Sequence, residues 1–200
     1  MSKLNVCFVD VLGLTYDGET LEKHGLGGSE SAIIYMAREL VELGFNVTVF
    51  NSCKDSRATP GVYDGVEYVD LTDINKYTTR RFDVFIGSRS VRPFIEPQFE
   101  RLMHPNTHKV LWMHDTFSDG DPLVEELVVN GRINEIFTLS DFHTTYISTC
   151  HHGDPRRNPE VLKNRIFITR NGVRRHFGNV DVTKKDKNHF VYNASVTKGM

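Results

Sequence analysis

Cysteine is scarce: three residues in 200, with no C-x-x-C pair. That excludes a disulfide framework and gives no thiolate zinc signature, so Cys7, Cys53 and Cys150 read as free thiols. Charge of one sign is also missing. Lys and Arg number 24 against 26 Asp and Glu, a formal net charge of −2. There is therefore no general attraction for nucleic acid or for an anionic membrane, and any bound phosphate must be held locally. No apolar stretch approaches the roughly 18 residues of a membrane span, and the opening MSKLNVCFVD has neither the basic start nor the apolar run of a signal peptide. The expectation is a cytoplasmic protein with no transmembrane segment. Repeats of about 20–50 residues and low-complexity tracts are absent, which excludes solenoids and fibrous architectures.

What is present is apolar residue in short runs. Hydrophobic residues make up 39% of the chain, enough for one good core, or one core plus the start of another. LNVCFVDV at 4–11, FNVTVF at 45–50, GVEYVDL at 65–71, FDVFIGS at 82–88, KVLWMH at 109–114, NEIFTLS at 134–140 and RIFITRN at 165–171 are mostly non-alternating, as strands buried on both faces are. Helical spacing lies between them, clearest at Ser29–Gly44, where Ile33, Met36, Ala37, Leu40 and Val41 recur at three and four residues and Gly44 closes the helix. Phe94–Met103, Pro122–Asn130 and Asp141–Thr149 are further helix candidates. Alternating strands and helices predict α/β architecture: a Rossmann-like open parallel sheet with helices on both faces, its ligands at the carboxyl ends of the strands. The polar run DVTKKDKN at 181–188 reads as a linker and HFVYNAS as one more strand. The expected organisation is one domain over 1–185, then over 186–200 a linker and the first strand of a second.

Chemistry is expected in the loops that follow strands. Gly25-Leu26-Gly27-Gly28-Ser29-Glu30 opens directly into the helix at 29–44. Glycine admits close backbone approach and a helix N-terminus favours an anionic group, so phosphate or sugar contact is predicted there; the plainer role is a loop with Ser29 as N-cap. It is not the dinucleotide fingerprint, because residues 12–24 intervene between the first strand and the glycines. His114 follows the strand KVLWM, which puts it at the carboxyl edge with Asp115 beside it. Ser140 ends another strand and, with Asp141, suits capping of the helix at 141–149, with a second role lining a cleft. Asn171 and Gly172 fit a turn. No metal is expected. Asp119-Gly120-Asp121 sits where turn residues belong, and Cys150-His151-His152 has ligands too close in sequence to converge on one ion. Arg156, Arg157, Lys163, Arg165, Arg170, Arg174 and Arg175 form the densest positive stretch, a solvated face or a peripheral membrane contact.

Five segments in order resemble one family. These are the first strand followed by GGSES and a helix ending ARELVELGFNVTVF, then WMHD at 112–115, TLSDF at 138–142, ITRNGV at 168–173 and FVYNASVTKGM at 190–200. Together they resemble the N-terminal half of retaining glycosyltransferases with two facing Rossmann-like domains, family 4 of the GT-B fold. The resemblance implies transfer of a sugar from a UDP-, GDP- or ADP-sugar to a glycan, lipid or protein acceptor, with no further cofactor. It implies that His114 contacts the transferred sugar, that Gly27 and Gly28 meet the donor, and that Ser29, Glu30, Asp115, Ser140, Asn171 and Gly172 line the cleft. Lys198 would neutralise the donor diphosphate, and 186–200 would begin the donor-binding domain. Ala194-Ser195 stands where members often carry G-R, which removes one diphosphate contact. The acidic donor contacts of relatives would lie beyond Met200, so the 200-residue chain is expected to be inactive alone. Alternatives are a GT-B-fold epimerase or phosphorylase, and a non-catalytic module binding a glycan or sugar nucleotide.

Overall fold

The computed structural model describes residues 3–115, 121–149, 159–170 and 172. Its strands are β1 (Asn5–Val9), β2 (Asn46–Asn51), β3 (Gly61–Tyr63), β4 (Val66–Asp70), β5 (Val84–Ser88), β6 (His108–Trp112), β7 (Glu135–Thr138) and β8 (Ile166–Ile168). They form one sheet in the order β3-β4-β2-β1-β5-β6-β7-β8. Every pairing is parallel except that of β3 with β4. The chain thus adopts the expected Rossmann-like α/β fold.

Helices cover both faces because the strands are apolar on both. Val6 and Phe8 of β1 pack on one side with Ile33, Ile34 and Ala37 of helix α2 (Gly28–Glu42), which follows the short helix α1 (Thr20–Lys23). Cys7 and Val9 pack on the other, against a layer that includes Phe94, Phe99, Val124, Leu127 and Ile147. That second layer contains a 3₁₀ helix (Leu71–Tyr77), α3 (Arg92–Ile95), α4 (Pro97–Glu100), α5 (Asp121–Val129), α6 (Asp141–Thr149) and α7 (Pro159–Lys163). Strand burial on two faces is what turns the sequence runs continuous instead of alternating.

Local chemistry sets the boundaries. Helix α2 ends in a Schellman motif: Gly44 has φ +94, its N–H donates to Val41 O at 2.9 Å, and Phe45 N donates to Leu40 O at 3.0 Å. The helix expected over Phe94–Met103 is instead two short ones. Glu96 between them is extended, with ψ 130, because Pro97 disfavours a helical residue before it. Phe94, Phe99 and Leu102 are nevertheless all buried, as their spacing suggested. The boundary near 182–188 and the strand expected at 189–195 lie outside the described residues. No helix among the described residues is long and apolar enough to cross a membrane.

The order of strands locates the crevice. From β1 the chain runs through α2 to β2 on one side; from β4 it returns past β1 to β5 on the other. Connections leave the carboxyl ends of β1 and β5 in opposite directions, and open α/β sheets bind ligands at such a reversal.

Candidate functional site

Four elements meet at that reversal. Asp10 follows β1 and continues its ladder, its N–H donating to Phe50 O at 2.9 Å. Arg89 follows β5, its N–H donating to Trp112 O at 2.9 Å, with φ +60, a left-handed conformation unusual for a residue with a Cβ. Glu30 lies in the first turn of α2. His114 lies just past β6.

A buried ion cluster ties the first three together. One Arg89 nitrogen, Nη2, lies 3.3 Å from Asp10 Oδ1 and 3.1 Å from Glu30 Oε1. Both acids are buried, at 1% and 3% exposure. Tyr16 donates its hydroxyl to Asp10 Oδ2 at 3.3 Å, and Leu14 N donates to Glu30 Oε1 at 3.2 Å. The glycines on either side leave room for this approach. A Cβ on Gly13 would stand 2.2 Å from Asp10 Oδ2, and one on Gly27 would stand 2.2 Å from Glu30 Oε2. Burial raises the pKa of Asp10, with Glu30 adding to it, and Arg89 only partly offsets them. Burial also works against the Arg89 charge, but Asp10 and Glu30 outweigh it and hold the guanidinium protonated.

His114 is the neutral member. Its ring lies 4.4 Å from the Trp112 ring, centroid to centroid. Burial, then the nearby Arg89 charge, lowers its pKa to about 4, so at neutral pH the imidazole is uncharged. Its Nε2 is buried with no hydrogen-bond partner, as are Ser88 Oγ, Arg89 Nε and Trp112 Nε1. Ser88 and Trp112 are direct partners across β5 and β6, so these unpaired polar atoms are grouped at two neighbouring strand ends. Buried polar groups are nearly always satisfied, and a cluster of exceptions marks a place suited to a polar ligand.

The expected residues divide accordingly. Gly27 is the N-cap of α2 and Gly28 its first residue, so Ser29 is inside the helix and does not cap it. No side chain caps this end, and Gly28 is exposed with open space around its Cα. Asp115 is exposed, and its carbonyl accepts from His143 Nε2 at 2.9 Å. Leu139 N donates to His143 Nδ1 at 3.3 Å, which assigns the ring proton to Nε2. Ser140 caps α6 as anticipated, accepting from His143 N at 3.1 Å, and is one strand removed from His114. Gly172 is exposed after β8, two strands from β6. Asn171 and Lys198, with Asp119, Gly120, Cys150, His151 and His152, lie outside the described residues. Among the described residues no group of three His, Cys, Asp or Glu side chains is placed to hold a metal. Cys7 and Cys53 are buried free thiols.

Asp10, Arg89, Tyr16 and His143 were not anticipated. The first two do have a signal: each is a charged residue directly after an apolar strand run, the same placement that singled out His114.

No protein-family model and no curated protein matches the chain. Among solved structures the chain is similar to the apo form of a lipopolysaccharide outer core galactosyltransferase, WaaB, with 12% identity and a TM-score of 0.49. The likeness covers 85% of this chain and 46% of that one, so the chain spans about half the length of that structure.

Proposed function

We propose that this chain is the acceptor-side half of a glycosyltransferase that moves a sugar from a nucleoside diphosphate sugar to an acceptor hydroxyl. The observation that supports it best is the meeting of Glu30, Arg89 and neutral His114 at the sheet's reversal point, two of them at positions the family resemblance names. The retaining outcome rests on the resemblance alone.

In this reading the sugar lies against the carboxyl ends of β1, β5 and β6. An uncharged imidazole accepts or donates one hydrogen bond to a sugar hydroxyl, and its low pKa makes it a poor proton donor or counter-charge at pH 7. His114 therefore positions the sugar, while Gly27 and Gly28 let the donor approach the uncapped end of α2. Departure of the diphosphate leaves an oxocarbenium-like sugar, and its neutralisation falls to groups of a second domain, Lys198 among them. Asp115 and Ser140 are assigned to the acceptor side of the cleft, and the family resemblance puts Asn171 and Gly172 near the donor.

Release of nucleoside diphosphate from UDP-, GDP- and ADP-sugars by the protein extended through its second domain tests this. Release is expected from one donor class, and His114→Ala should lower it about 10- to 1,000-fold, the loss of one positioned contact to a reacting sugar. No release from any donor by a folded protein overturns the reading, and strong transfer by the 200 residues alone overturns the need for a second half.

A further inference from the structure

The charge arrangement around His114 bears on which sugar the site takes. Two buried carboxylates, Asp10 and Glu30, share one guanidinium, with Nη2 of Arg89 3.3 and 3.1 Å from them. The cation is already engaged twice over. The charged and titratable groups acting on His114 are Arg89, Glu30 and His143. His143 has both ring nitrogens engaged, with Leu139 N and Asp115 O, and His114 itself is neutral. Asp115 adds a further acid at the rim. With Asp10 ionised the cluster is net negative; with Asp10 protonated it is neutral. In neither state is positive charge left over for a ligand anion.

The unpaired atoms are of another kind. Arg89 Nε and Trp112 Nε1 are donors, Ser88 Oγ and His114 Nε2 donate or accept according to their protons. Such a set suits hydroxyl oxygens, which carry both roles and no charge.

From this we infer that the site, read as the glycosyl site proposed above, takes an uncharged sugar ring and rejects uronic acids and rings phosphorylated away from the anomeric carbon, with Asp10 and Glu30, which engage Arg89 between them, as the residues that impose the exclusion. One unfavourable charge contact in a partly hydrated medium corresponds to roughly tenfold in affinity.

The test uses the protein extended through its second domain and free glycosides. Methyl glucoside, galactoside and mannoside are titrated against methyl glucuronide and galacturonide while the His114 ring resonances are followed by NMR. The expectation is that a neutral glycoside shifts His114 and its uronide does so at least about tenfold more weakly, the size of that single charge contact. Asp10→Asn and, independently, Glu30→Gln should each narrow the gap; either variant suffices if the other does not fold. A uronide that binds as well as its neutral counterpart, or a gap unchanged in both folded variants, overturns the specificity and leaves the glycosyl site standing. If no glycoside moves His114 in the folded chain, the glycosyl site fails and the specificity fails with it.

Discussion

Burying an acid beside another acid is unfavourable, and at Asp10 the surroundings favour the protonated form despite Arg89. The cluster by itself is therefore no argument for stability: replacing buried ion pairs by apolar groups is often neutral or stabilising, whereas removing one partner is costly. His114 carries a measurable consequence of the same burial. In the unfolded chain a histidine titrates near 6.5, whereas here it titrates at about 4, so below pH 6.5 the unfolded state binds the extra proton. The contribution is fully present above pH 6.5 and is lost as pH falls from 6.5 to about 4, by at most on the order of 3 kcal/mol. Denaturant melts of the parent and His114→Asn across this window should therefore converge as pH falls, the parent losing more; parallel pH profiles would contradict the neutral, half-buried imidazole. The position of His114 was legible because a strand run precedes it. Its partners were not, since Asp10 and Arg89 are 79 residues apart and their encounter follows from strand order, which periodicity does not contain.

At the level of elements, long signals were readable and short ones were not. Helix α2 repeats its apolar residues over four turns and ends at a left-handed glycine, so both its face and its end could be read. Helices α1 and α7 and strand β3 are only 4, 5 and 3 residues long, too short to show a period, and Pro97 divided a segment whose apolar spacing alone looked continuous. The start of α2 yields a sharp contrast between adjacent glycines. Gly27→Ala places a methyl against the Glu30 carboxylate, which must leave Leu14 N and Arg89, so a loss of about 1–3 kcal/mol is expected from the groups left unpaired. Gly28→Ala meets nothing within 4 Å and should be neutral or stabilising by up to about 1 kcal/mol, through a less flexible unfolded chain. Equilibrium urea unfolding of the two variants decides it, and equal losses would show that the Glu30 contact is not what Gly27 protects.

For the whole molecule, the sheet is a gradient from centre to edge. Strand β1 is paired on both sides along its length, by β2 and β5, and its own Phe8 and Val9, with Phe85 of β5, are fully buried. The two ends of the sheet carry Val62 of β3 at 70% exposure and Phe167 of β8 at 60%. Local opening follows such differences, so amide hydrogen exchange should be slowest in β1 and β5 and fastest in β3 and β8. Uniform protection across the sheet would show a single cooperative unit without soft margins. The strand order that sets this gradient was only partly implied by the sequence: a parallel sheet was, but not the three-residue antiparallel edge.

Synthesis proceeds from one end, and that gives the Arg89 clamp a second meaning. Strands β1, β2 and β4 precede β5 in the chain, so a growing chain that has folded them presents one open side of β1, a backbone edge of unpaired N–H and C=O groups of the kind that recruits other chains. At its tip stand Asp10 and Glu30, not yet joined by the guanidinium that follows β5 in the order of translation. Arg89 is the residue immediately after β5, so its contacts with both acids form only once β5 has taken its place beside β1, and the clamp closes together with that seam of the sheet.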